Sequence, residues 1–173
     1  MPVTRRQLVT LAAAVPVAGG LLAVGAGGTV AWQWWDRPAG EGLQRLASDE
    51  HAFAQAVAEA WMPHGGDPPI SGAEAELGHF LDGILAGMPP GQANELKLLL
   101  QALDDLPRLT HFAPYRSLDL DTRIAVLDGW LHSDQWLLRN GILGLLSLIG
   151  TGYTTHPEVL EHVRPLFRCA YGR

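Results

Sequence analysis

From residue 48 onward, apolar positions recur at three- and four-residue intervals, the period of helices laid against a shared core. Phe53, Val57 and Trp61 fall on one face of a helix opened by Ser48-Asp49-Glu50 and closed near Met62-Pro63. Ser48 is its expected N-cap. The Gly- and Pro-rich stretch His64–Ile70 reads as a loop. Ser71-Gly72-Ala73-Glu74 has the form of a capping box, and the helix it opens carries Leu77, Phe80, Leu81, Ile84 and Leu85 to Gly87. Pro89-Pro90 starts a third helix. Leu96, Leu99, Leu100, Leu103 and Leu106 form its inner face, with Glu95, Lys97, Gln101 and Asp104 on the other side.

Pro107 to Leu118 is irregular. Asp119 or Asp121 then caps a helix through about His132, with Ile124, Leu127, Trp130 and Leu131 facing inward. A further helix runs from Gln135 to about Ile149 and is apolar on nearly every side, so it is central or covered by another chain. Gly150-Thr151-Gly152 is expected to break it, and Pro157 to open a short helix through Val163. No alternating strand pattern runs longer than a few residues. The fold expected is all-α: a compact bundle of about five helices preceded by an N-terminal signal or anchor helix.

The first part of the chain follows a different pattern. Arg5-Arg6 precede a run without charge that reaches Asp36, which is long enough to span a bilayer. The adjacent arginines resemble a twin-arginine export signal, an address read by the twin-arginine translocase. Small residues at Val24-Gly25-Ala26 and Thr29-Val30-Ala31 would suit cleavage. Trp32, Trp34 and Trp35 would suit a membrane–water boundary if the segment is retained. Both outcomes stay open. The parts expected are a signal or anchor over 1–35, a linker over 36–47, a helical domain over 48–165 and a tail over 166–173.

Composition removes several function classes. The formal net charge is −6, and Arg5-Arg6 is the only adjacent basic pair, so no phosphate-binding patch for nucleic acid is expected. Cys169 is the only cysteine, which excludes a disulfide or a cysteine cage within one chain and leaves an unpaired thiol on the tail or a pairing with another chain. Glu76-x-x-His79 supplies only half the ligand set of a helical-bundle di-iron site, so His79 is expected to face solvent or pack a loop. Asp104-Asp105 and Asp119-x-Asp121 fall at helix ends, where acids act as caps and solvated surface. No segment has the form of a nucleotide- or flavin-binding fingerprint.

The leader, the Ser71–Glu74 box, the run Arg123…Leu127…Trp130…Ser133…Arg139 and the segment Gly152-Tyr153-Thr154-Thr155-His156-Pro157-Glu158 together resemble the gluconate 2-dehydrogenase subunit 3 family. The resemblance spans roughly residues 70–163 plus the leader. It implies a small, helical, non-catalytic partner of an exported flavin-dependent dehydrogenase of the glucose–methanol–choline type. Such a subunit binds the flavoprotein, helps it mature and supplies the export signal for both. The FAD would belong to the partner, and a cytochrome c subunit often completes the electron path. The domain would lie outside the bacterial inner membrane, periplasmic or held there through residues 8–35. Trp130, Trp136, Tyr153, His156 and Pro157 are the candidate contacts with the flavoprotein; core packing is the alternative for the aromatics. The competing functions are an exported di-iron-type bundle enzyme and an anchored structural protein without a flavoprotein partner.

Overall fold

The computed structural model describes residues 37–164. The described residues are helical, with no strand among them: α1 (Ser48–Trp61), α2 (Leu77–Gly87), α3 (Pro90–Asp105), α4 (Arg108–His111), a 3-10 turn (Tyr115–Ser117), α5 (Leu120–Leu131), α6 (Trp136–Thr155) and α7 (Pro157–Val163). The expected all-α class holds. Arg5, Arg6, Trp32, Trp34, Trp35, the 8–35 segment and Cys169, for which the sequence raises expectations, lie outside the described residues.

Helix α1 is the hub and packs against α2, α3, α5 and the 3-10 turn. Its small residues permit this. Ala54, Ala56, Ala58 and Ala60 are buried around Phe53 and Val57, so neighbours approach the backbone closely. Its N-terminus differs from expectation. Ala47 is the cap residue, and the Glu50 carboxylate accepts the Ala47 N–H at 2.8 Å in place of a Ser48 side-chain cap. Trp61, expected on the inner face, is 40% exposed.

The capping box forms but opens a turn. Ser71 N–H donates to Glu74 at 2.8 Å, and Glu74 N–H donates to the Ser71 hydroxyl at 3.2 Å. Glu76 then takes a left-handed conformation (φ 49°), and α2 begins only at Leu77. Gln55 of α1 bridges the break: its amide nitrogen donates to Ala73 O at 2.5 Å and its oxygen accepts Gly78 N–H at 2.9 Å. Those side-chain bonds supply backbone partners that a continuous helix would have provided.

The segment before α1, expected as linker, carries no regular element but is tied to the domain. Leu46 is fully buried. The Asp82 carboxylate accepts three consecutive backbone N–H groups, from Gln44 (2.7 Å), Arg45 (2.9 Å) and Leu46 (2.7 Å).

Helix α6 runs on to Thr155, so the break expected at Gly150 is absent. The glycines serve packing instead. A Cβ on Gly150 would lie 3.0 Å from the Trp61 ring, and one on Gly152 only 2.4 Å from the Phe80 ring. Two aromatic rings rest directly on the helix backbone at these positions, which offsets the cost of glycine in a helix interior. Pro157 does begin α7, with His156 as the cap.

Of the polar side expected for α3, Glu95 is exposed but the other three residues are not solvated. Lys97, Gln101 and Asp104 are each at most 6% exposed, and Glu50 of α1 is 2% exposed. Lys97 Nζ lies 3.6 Å from Glu50 and donates to Arg37 O at 2.7 Å. Gln101 donates to Glu50, and Arg116 pairs with Asp104. Arg37 also pairs with Asp49 at 2.6 Å. The charges are buried because opposite charges on α1, α3 and the 3-10 turn meet them there.

Candidate partner-contact surface

Trp130 is 7% exposed and stacks on Tyr115 with ring centroids 5.1 Å apart. Tyr115 is fully buried, meets Phe53 edge-on at 5.5 Å and donates its hydroxyl to Arg123 O at 3.1 Å. Burial pushes the Tyr115 phenol well above its usual value, against the opposing pull of Arg123. Tyr153 is 8% exposed, and its hydroxyl donates to Ile70 O at 2.6 Å, pinning the 63–71 loop to α6. Burial, with Asp67 and Glu74 near, raises the Tyr153 phenol as well. Both side chains are placed as core aromatics with satisfied hydroxyls. His156 is half-buried with Nδ1 unpartnered, and Pro157 is exposed at the start of α7. Trp130 and Tyr153 are thus taken into the core, while His156 and Pro157 follow the opposite end of α6 from Trp136.

Trp136 is different. It stands 60% exposed at the first position of α6, with Leu137 and Leu143 each at 46%. Along the exposed side of α6 the polar groups bond to the helix's own carbonyls: Asn140 to Trp136 O (2.7 Å), Ser147 to Leu143 O (2.7 Å) and Thr151 to Ser147 O (2.9 Å). The one charge among them, half-buried Arg139, donates to Ser133 O at 2.7 Å, so few donors are left seeking water.

A second apolar surface was not legible in the pattern. Leu109 of α4 is 79% exposed and Phe112, just after it, 90% exposed. Phe112 is left-handed (φ 55°), a conformation costing a bulky L-residue roughly 1–2 kcal/mol. Between α4 and α5 lies a hollow of ≈ 260 Å³ lined by Leu106, Pro107, Leu109, Val126, Gly129 and Trp130. A wider one of ≈ 580 Å³ adjoins it at Val126 and reaches His111, Asp121 and Thr122. Four residues of helix carry no usable period, so only the irregularity of 107–118 pointed here.

The acidic candidates resolve into structural roles. Asp119 caps α5, accepting Thr122 N–H at 3.0 Å and its hydroxyl at 2.7 Å. The bond from Thr122 holds the Asp119 carboxyl below its usual value. Asp105 pairs with Arg108 at 2.6 Å. Asp104, expected at the surface, is buried against Arg116; the guanidinium makes that position tenable. His79 is exposed and its ring lies 4.5 Å from that of His51. Burial, then His79, lowers His51, while Asp82 and Glu76 oppose. Among the described residues no three His, Cys, Asp or Glu side chains converge as a metal ion requires. No helix among them is long and apolar enough to cross a membrane.

A family model described as gluconate 2-dehydrogenase subunit 3 matches residues 48–167. No curated protein and no solved structure matches the chain. The family match covers more than half of the sequence and contains every helix from α1 to α7. This helical chain belongs to the gluconate 2-dehydrogenase subunit 3 family.

Proposed function

We propose that this chain is a non-catalytic small subunit that binds a flavin-dependent sugar or alcohol dehydrogenase, helps it mature and carries it out of the cell interior. The observation that supports this reading most is the family match over residues 48–167, whose description is of a dehydrogenase subunit. Arg5-Arg6 ahead of an uncharged run supply the address, read by the twin-arginine translocase. Such an address suits cargo folded before transport, and the helical domain would hold that cargo. FAD and the reacting atoms then sit in the partner chain, and a cytochrome c subunit takes the electrons onward. The assembled complex works outside the inner membrane, free or held by residues 8–35.

Co-expression with a flavin-dependent dehydrogenase from the same genome tests the reading. Arg5→Lys together with Arg6→Lys should abolish the appearance of active dehydrogenase outside the inner membrane while leaving it inside. Undiminished export of active enzyme from the double variant, or from cells lacking this chain, would overturn the proposal. Sequencing the mature N-terminus separates a cleaved leader from a retained anchor.

A further inference from the structure

Resting on that functional reading, we propose that Leu109, Phe112 and the hollow between α4 and α5 are where the catalytic subunit grips this chain, through an apolar socket with a basic rim. Among the described residues, the exposures of 79% and 90% are the two highest of the exposed large apolar side chains. A lone exposed leucine needs no explanation; here Leu109 lines an apolar hollow and a second large apolar side chain projects three residues on, which together expose apolar surface that water solvates poorly. Phe112 has a left-handed backbone and its ring is 90% exposed, with no ring contact among the described residues. Shape and chemistry agree. The projecting pair suits insertion into a partner, and the hollow at Leu106, Val126 and Trp130 accepts one apolar side chain in return.

The charges around the patch select the occupant. Asp119 and Asp121 have no lysine or arginine within salt-bridge distance among the described residues, and Asp121 lines the wider hollow. Asp119 bonds Thr122, which lines the same hollow as Asp121. Arg108 is already engaged by Asp105. The side of the wider hollow at Asp119 and Asp121 is therefore acidic beside an apolar centre. A second copy would set acidic rim against acidic rim on chains of net charge −6. A complementary partner brings Lys or Arg to that rim and an apolar pocket to Phe112. In a chain of a dehydrogenase-subunit family, the catalytic subunit is the partner that must be met.

The test is co-purification of the full-length chain with its co-expressed catalytic subunit, with circular dichroism and sedimentation of each variant. Leu109→Asp with Phe112→Asp should lower recovery of the complex about tenfold or more while helix content stays unchanged. Leu109→Ser with Phe112→Ser should do the same with no added charge. Asp121→Lys should weaken binding further at low salt than at high salt, because rim charges act through a screened field. Wild-type recovery with both double variants would overturn the inference and leave the functional reading intact. So would loss of the complex with Trp136→Asp alone. Sedimentation of the wild-type chain as a dimer that Phe112→Asp converts to monomer would assign the patch to a second copy and overturn it. Failure of the wild-type chain itself to bind the catalytic subunit would sink the functional reading and this inference together.

Discussion

Two regions of the domain place polarity in opposite senses. Between α1 and α3, charge is inside: Glu50, Lys97, Gln101 and Asp104 are all at most 6% exposed. On α4 and the first turns of α6, apolar bulk is outside: Leu109, Phe112, Trp136, Leu137 and Leu143 are between 46% and 90% exposed. The first inversion is completed within the chain, because each buried charge meets an opposite one on a neighbouring element. The second has no complement among the described residues. A fold can bury charge when it also buries the counter-charge, whereas an exposed aromatic patch gains only when another molecule covers it.

That contrast can be broken by mutation, and the largest effect lies in the buried layer. Lys97→Met leaves Glu50 without its counter-ion and should cost about 3–5 kcal/mol in urea unfolding. Glu50→Gln added to Lys97→Met should recover most of the loss. A single-mutant cost below about 1 kcal/mol would mean that water already reaches the pair.

Asp82 comes next, since Asp82→Ala strands three backbone N–H groups before α1 and should cost about 2–3 kcal/mol. The pH dependence has a definite sign. Burial alone would raise the Asp82 carboxyl, but the Leu46, Gln44 and Arg45 N–H groups, with His51 near, outweigh it and lower the value below the usual 3.8. Its contribution is thus fully present above 3.8 and is lost as pH falls through the lowered folded value. Acid titration of stability should lose this component in Asp82→Asn.

Two glycines of α6 give a smaller and opposed pair. Gly152→Ala drives a Cβ to 2.4 Å from the Phe80 ring and should destabilise by about 1–2 kcal/mol. Gly144→Ala meets nothing within 4 Å and should stabilise by up to about 1 kcal/mol through helix propensity. Melting temperatures that moved the same way for both would contradict the ring-on-backbone packing. Smallest of all, Leu109→Asp and Phe112→Asp should each change stability by no more than about 0.5 kcal/mol, since neither side chain is buried. A large loss on denaturation would place them in the core rather than on a contact surface.

The long elements were legible because their period is long enough to read. Leu77, Leu81 and Leu85 on α2, Leu100 and Leu103 on α3, and Leu127 and Trp130 on α5 are all buried as spaced. Asp119 caps α5 as its type and position implied. Where the structure departs from the pattern, one cause recurs: a neighbour distant in sequence reassigns a local signal. Gly150 and Gly152 look like a stop until Trp61 and Phe80 are laid on them. Lys97 and Asp104 look solvated until Glu50 and Arg116 arrive. Ser71–Glu74 forms its box, yet left-handed Glu76 and the Gln55 bridge delay the helix. On the candidate surface, Trp136 could be singled out as a large aromatic in a helix apolar on most sides. Leu109 and Phe112 could not, since no period marks a four-residue helix.

Taken alone, the sequence determined that this protein is built of helices, where most of them lie and which leucines face inward. Those features follow from hydrophobic period and end chemistry, both local along the chain. Tertiary structure decided which polar residues are buried, which glycines carry rings and which apolar side chains are left outside. Each of these depends on what stands opposite, and that partner is supplied by an element tens of residues away.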